Sequence, residues 1–400
     1  MNKIELLAPA GDLKRCMVAI RYGADAVYIG GKRFSLRSRA SNFDLDNIKL
    51  ACDFAKEYNA RIFVTVNMIP HDEDIIELDE YLINLEKVGV SAIIVASPYI
   101  AERCKLLTNM EVHISTQINT TNSLTIQEFK DCKADRVVVA RECDINQIKL
   151  ITSHTDMPIE VFIHGGMCSN YSGRCTLSNA MTLRDANRGG CAQSCRWKYH
   201  LLEDDNIISD DKDLFSMSST DLVATDYIQE MINANVASLK IEGRMKSEYY
   251  IATVVKTYRD LIDEIYANKD KKLTKDRLEY YANEIQKAEN RPTNDGFLNG
   301  IPTKNHHLYG INGAGVTHEF VCYIKDYNPN TKLALIESRN YFKLNDELEV
   351  FGPNTPNTKF ILKEMYDIDN NPVEISNQPM RKLYIKVDFN VYEHDMIRKV

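Results

Sequence analysis

Eight short runs of β-branched and other apolar residues recur through the first two-thirds of the chain: IELLAP, AVYIGG, ARIFVTVN, AIIVAS, EVHIST, RVVVARE, PIEVFIHG and ASLKIEGR. Each is almost continuously apolar, the pattern of parallel strands buried on both faces. Helical stretches such as NIKLACDFAKEY and DEYLINLEKVG separate them. Strand–helix alternation implies right-handed βαβ units, and eight such units close into a TIM-type (β/α)8 barrel of the α/β class. An open doubly wound sheet is the alternative architecture.

Between the seventh run, ending near Gly165, and the eighth, beginning near Ala237, lie about seventy residues, against ~2–6 for an ordinary βα loop. An insertion at about 166–236 is therefore expected. Within it, WKYHLLEDDNIISDDKDLFSMSST reads as two strands around an acidic turn. Two strong helices follow the eighth run, and NRPTNDGFLNGIPTKN then marks a linker. The last 90 or so residues alternate short strands with turns such as NPNTK and FGPNTPNTK, which predicts a small all-β barrel. The expected division is 1–300 for the barrel and 310–400 for the β domain, with the barrel able to fold by itself.

No run approaches the ~18 consecutive apolar residues of a membrane-spanning helix. The N-terminal MNKIELLAPAGD breaks at Pro9 and Gly11 without the form of a signal peptide, so no membrane association and a cytoplasmic location are expected. The net charge of −8 gives no general attraction for nucleic acid, and an RNA partner would need a local basic patch.

Ten cysteines are present, six of them at positions that look like buried faces of helices and strands. The other four, Cys168, Cys175, Cys191 and Cys195, fall in a polar, glycine-rich stretch with the spacing C-x6-C-x15-C-x3-C. Four thiolates suit a 4Fe–4S cluster or a tetrahedral zinc, and free or redox-active thiols are the third reading. Zinc sites usually carry C-x2-C knuckles, and none is present, so the irregular spacing fits a cluster better.

The segment from Glu160 to Ser178, ExFxxG-x-MC-x4-G-x-C-x-LS, resembles the signature of the peptidase U32 family, the collagenase-like proteases. Gly166 departs from it, since that signature has Ser or Ala there. LLAPAG, GADAVYIGG, STQINTTN, NRGGCAQSCRWKY, LKIEGRMKS and RNYFKLNDELEVFGP are also family-like, so the resemblance covers essentially the whole chain. It implies the branch of the family that makes 5-hydroxyuridine at the wobble position of tRNA. In that branch the four cysteines would hold an iron–sulfur cluster, and prephenate would be the co-substrate and hydroxyl source. Other branches imply an rRNA cytidine hydroxylase, or a cluster protein working with a related partner subunit. The family name implies a protease, but neither H-E-x-x-H nor G-x-S-x-G occurs.

At the C-terminal ends of the expected strands, where such barrels carry their chemistry, stand Asn67, Gln117, Arg141, Glu142, His164, Glu242 and Arg244. Gln117, Arg141, Glu142, His164 and Glu242 are the catalytic candidates; rim ion pairs are the plainer reading of each. His113, inside the fifth run, is expected to be a hydrogen-bonded interior histidine. Basic loops contribute Lys32, Arg33, Arg37 and Arg39, then Arg188, Arg196 and Lys198, then Arg244 and Lys246. Their convergence favours an anion: RNA phosphate, a dicarboxylate such as prephenate, or both. Substrate contacts are thus expected from Arg37, Arg39, Asn67, Arg188, Arg196, Trp197, Arg244 and Lys246. Trp197 either stacks an extruded base or anchors the insertion.

Overall fold

A computed structural model describes residues 3–36, 42–210, 214–268, 271–308 and 316–400. The eight runs form the strands β1 (Glu5–Pro9), β2 (Ala26–Gly30), β3 (Arg61–Val66), β4 (Ala92–Val95), β5 (Glu111–Ile114), β6 (Arg136–Val138), β7 (Ile159–Gly166) and β8 (Ser238–Ile241). All pair in parallel with their neighbours, and β8 closes the ring by pairing with both β1 and β7. The helices between them start where the sequence supplies caps: Asp12, Asp44 and Asp144 each accept a first-turn backbone N–H. No helix of the described residues is long and apolar enough to cross a membrane.

The barrel interior is not wholly apolar. The Lys240 Nζ donates to the Glu160 Oε1 at 2.6 Å, and Arg136 bonds the Glu160 Oε2 at 3.0 Å and the Glu5 Oε1 at 2.6 Å. Glu160 is fully buried. Burial would raise its carboxyl, but Lys240 and Arg136 overcome this and hold it at about 2. His113 is buried as expected, bonded to Glu111 at 2.9 Å and set edge-on to Phe63.

The expected insertion leaves the end of β7, and its hairpin is Leu202–Glu203 paired with Asn206–Ile207. The acidic turn uses Asp204 and Asp205, both at positive φ, as a tight two-residue hairpin requires. The chain then returns as the strand Asp221–Val223, antiparallel to the end of β7.

The C-terminal region is a seven-stranded antiparallel sheet curved into a half-barrel, with its own apolar core around Cys322, Ile336, Leu348 and Leu383. This sheet also packs against the barrel. Tyr323, Phe351 and Met396 of this sheet belong to the barrel's core cluster, where Tyr249 stacks on Phe320 and Tyr22 meets the edge of Phe351. Arg398, buried, bonds Glu284 of the helix Lys275–Gln286 at 2.8 Å and Glu349 of its own sheet at 2.6 Å. An apolar contact sealed by a desolvated ion pair is a joint core rather than a tether.

Candidate functional site

The cysteine-bearing insertion lies over the C-terminal mouth of the barrel and is tied to four strand ends. Glu142, just past β6, accepts the Ser172 backbone N–H at 2.6 Å and also the Ser172 hydroxyl. Arg141 donates its backbone N–H to the Ser172 Oγ at 3.3 Å, and the Arg174 Nε donates to the Gln117 carbonyl, beyond β5, at 2.8 Å. Ser172 is buried with φ +45, a left-handed conformation sustained by those bonds. Beyond β3, the Ile69 N–H reaches the Asn187 carbonyl at 2.9 Å. At β7, the Arg196 Nη2 donates to the Met167 carbonyl at 3.2 Å and Nη1 to the Ser218 Oγ at 2.9 Å.

These ties hold the four thiols on two arms, 168–175 and 191–195. The Cys175 Sγ accepts the Asn170 Nδ2–H at 3.1 Å and the Leu177 N–H at 3.3 Å. Burial pushes the Cys168 thiol up, opposed by the Asn170 backbone N–H and by Arg141, while Cys195 and Cys175 are close enough to act on it. Cys191 is exposed. Among the described residues, no three His, Cys, Asp or Glu side chains converge to the spacing of a closed metal site. The chemistry of the donor set is that of four soft thiols on one loop, the ligand type common to iron–sulfur clusters and zinc, and the Cys175 Sγ already accepts two N–H bonds.

Below the arms the mouth is polar. Arg244 is buried and donates to the Ser35 Oγ at 3.1 Å, the Thr65 Oγ1 at 3.3 Å and the Asn42 Oδ1 at 2.7 Å. Its guanidinium lies so close over Gly30 that a Cβ there would come within 2.4 Å and would displace the guanidinium from these bonds. The Asn67 Nδ2 donates to the Gln117 Oε1 at 2.7 Å, and the Ser115 hydroxyl donates to the same oxygen at 3.1 Å. Arg141 lies flat on the Phe162 ring, 3.8 Å from its centroid, and donates Nη1 to the Gly166 carbonyl at 2.5 Å. Glu242 is half-buried beside Gly166.

Asn67, Gln117, Arg141, Glu242 and Arg244 thus gather at the mouth. His164 does not. Its ring is fully buried between β7 and the helix Glu248–Asn268, bonded to the Glu289 Oε1 at 2.8 Å and packed on Tyr250 and Tyr258, so it braces the barrel wall. Glu142 is spent on Ser172 and acts as a positioning group. Arg188 forms an ion pair with Asp74 at 2.7 Å and with Glu73, out on the loop beyond β3. Arg196 turns inward as the strap between the two cysteine arms, where burial and the neighbouring Arg291 lower its proton affinity. Lys246 lies 3.5 Å from both Asp221 and Glu289, a pair of buried acids. Arg188 and Lys246 thus have carboxylate neighbours, and Arg196 is held by loop oxygens. Trp197 is 43% exposed, with its ring tilted against Tyr199 at 6.5 Å between centroids. Lys32 and Arg33 pair with Asp44 and Glu77, and Arg37 and Arg39 lie outside the described residues.

Sequence reasoning missed the internal pairs of Glu160, Lys240, Arg136 and Glu5. Their signal was available: a charge inside a strand buried on both faces needs a buried partner. Asp221 and Glu289 sit in segments whose path the sequence does not reveal. Gly166 also becomes legible, because a Cβ there would press on the Arg196 Nη2 at 3.3 Å.

Residues 11–308 match Peptidase family U32, and residues 316–398 match the Peptidase family U32 C-terminal domain. The chain is 42% identical to a tRNA hydroxylation protein of Bacillus subtilis, covering 100% of this chain and 95% of that one. A 23S rRNA 5-hydroxycytidine synthase of Escherichia coli is 38% identical, over 74% of this chain and 46% of its own length. A Porphyromonas gingivalis protein named collagenase is 31% identical, over 89% of this chain and 88% of its own.

Proposed function

We propose that this chain, which belongs to peptidase family U32, hydroxylates RNA, and that its product is 5-hydroxyuridine at the wobble position of tRNA. The observation that carries the reading is the full-length match to a tRNA hydroxylation protein, combined with a mouth that offers amides and cations. Among the described residues the mouth's hydroxyls Ser35 and Thr65 bond each other, Thr65 donates to the Ile29 carbonyl and Ser115 to the Gln117 Oε1, and none of these three bonds involves a histidine. That disfavours peptide hydrolysis by a Ser–His route through these three hydroxyls.

In this proposal Cys168, Cys175, Cys191 and Cys195 hold a 4Fe–4S cluster, which would supply one-electron transfer above the mouth. Prephenate is the proposed hydroxyl source. Uracil C5–H is not acidic, so a base alone cannot functionalise it, and the chain's own residues serve by binding and orientation. Glu142 and Arg141 fix the first cysteine arm through Ser172, Arg196 fixes the two arms relative to each other, and Arg244 and Asn67 order the mouth beneath. Trp197 offers a stacking face for an extruded base.

The test is nucleoside analysis of RNA from cells lacking the gene. Loss of 5-hydroxyuridine and its derivatives from tRNA, restored by the wild-type gene, is the expected result. Loss of a hydroxycytidine from ribosomal RNA instead would move the substrate to rRNA. Unchanged RNA with altered peptide turnover would overturn hydroxylation altogether.

A further inference from the structure

The barrel axis carries a stack of cationic and aromatic layers. Lys240, buried and neutralised by Glu160, lies 4.7 Å from the Tyr28 ring centroid and 5.3 Å from that of Phe162. The Arg141 guanidinium lies over the same Phe162 ring, 3.8 Å from its centroid. Arg141 differs in what holds it from the ion-paired cations of the barrel and its rim. Arg136, Lys240, Lys246 and Arg188 each have a carboxylate within ion-pair distance. Arg141 has only the Gly166 carbonyl and the Phe162 face, with no Asp or Glu oxygen within 4 Å among the described residues. A guanidinium carries five N–H donors in a fixed fork, and one of them reaches that carbonyl.

A second, independent feature lies across the β5–β6 gap. Gln117 is 4% exposed, and while its Oε1 accepts from Asn67 and Ser115, its Nε2 is buried with no hydrogen-bond partner. Such an orphan is costly in a finished core, and at a mouth it marks a donor awaiting a ligand. Both residues border the same arm: Arg141 bonds to Gly166 and Ser172, and the Gln117 side chain lies 4.0 Å from where a Cβ on Gly173 would stand. The stretches that carry them are bonded together, since the Thr116 hydroxyl donates to the Val139 carbonyl and the Ala140 N–H to the Thr120 carbonyl.

From this geometry we infer that Arg141 and Gln117 form a carboxylate anchor in the barrel mouth. Arg141 presents a planar fork on an aromatic platform, and the Gln117 Nε2 donates from the side. The ligand class is a small organic carboxylate whose apolar body rests near Phe162 and Tyr28. A planar, bidentate acceptor suits the fork better than a tetrahedral phosphate does. This inference rests on the proposed function only in taking prephenate as the natural member of that class.

The test is calorimetric titration of the full-length protein with prephenate, and separately with phenylpyruvate, which keeps one carboxylate and an aromatic body. Arg141→Met is expected to weaken binding of both by about 10- to 100-fold, the range of a lost charge-assisted hydrogen-bond pair. Arg141→Lys keeps the charge and loses the fork, so it should recover only part of that loss. Gln117→Leu should weaken binding several-fold. A thermal midpoint within 3 °C or so of wild type separates these effects from misfolding, and Arg141→Lys stands in if the methionine variant does not fold. RNA affinity should be the same in Arg141→Met as in wild type. Wild-type carboxylate affinity in Arg141→Met, or no carboxylate binding by the wild-type protein, overturns the anchor. A fall in RNA affinity with carboxylate binding intact reassigns Arg141 to phosphate and also overturns it. The hydroxylation reading fails separately: carboxylate binding that depends on Arg141, in cells whose RNA does not need this gene, keeps the anchor and removes the reaction.

Discussion

Replacing Glu160 by glutamine should be among the most damaging single changes in the barrel, for electrostatic rather than catalytic reasons. The carboxylate is fully buried, and it faces Lys240 at 2.6 Å and Arg136 at 3.0 Å. Arg136 retains Glu5 at 2.6 Å, whereas no other acid pairs with Lys240 among the described residues. Glutamine therefore leaves one buried ammonium without its counter-charge, a loss of about 3–5 kcal/mol. A second route gives a similar figure. Holding a glutamate at about 2 against its ordinary 4.5 corresponds to about 3 kcal/mol at 1.36 kcal/mol per tenfold change in proton affinity. The sign follows from the depressed value: the contribution is complete above pH 4.5 and is lost as pH falls toward 2. Guanidinium unfolding followed by far-ultraviolet circular dichroism should show a lower midpoint for Glu160→Gln at pH 7. Between pH 4.5 and 2, the variant's stability should decline less steeply than that of wild type. The pair Glu160→Leu with Lys240→Met, which removes both charges, should regain at least half of the loss. A Glu160→Gln protein within 1 kcal/mol or so of wild type at pH 7, with the same acid profile, would refute the argument.

Under the proposed cluster, serine at Cys168, Cys175, Cys191 or Cys195 should lower bound iron from about four per chain, whereas serine at Cys104 or Cys322, both buried in apolar surroundings, should not; anaerobic iron and sulfide assays decide. Ending the chain at Asn299 would uncover Tyr22 and Tyr249 and leave Glu284 without Arg398, so the truncated protein should melt well below wild type or aggregate; an unchanged melting profile would show that the docked sheet adds nothing. Trp197→Ala should weaken RNA binding by about 1–3 kcal/mol if the exposed ring stacks a base. Arg196→Gln, by contrast, should leave the slope of log Kd against log salt unchanged because its guanidinium is turned into the loop; a slope smaller by about one would return it to the phosphate-contacting surface.

The backbone architecture was readable because it depends on local pattern. Eight apolar runs with helices between them are satisfied by one closed ring, and the seventy-residue gap had to be an insertion wherever it packed. The roles of charged residues were less readable, because role depends on which way a side chain points, and that is set by strand register. Lys240 shows the difference. In ASLKIEGR it resembles any charge near a strand end, yet parallel pairing with β7 sets it opposite Phe162, inside the ring. Count and clustering point Arg196 and Lys246 toward an anion, but they do not reveal that acids from distant segments, Asp221 and Glu289, lie 3.5 Å from Lys246, or that carbonyls of the loop itself accept from Arg196. The same logic divides the family-like signature. Its glutamate, Glu160, is a counter-ion inside the barrel, its glycine at 165 holds φ +99 where a Cβ would meet the Glu242 carbonyl at 2.4 Å, and its two cysteines project onto the loop above. A signature that spans floor, wall and roof constrains different things along its length, so substitutions at Glu160 and Gly165 should first register as changes in stability, those at Phe162 as changes at the mouth, and those in its second half as changes in what the loop can bind.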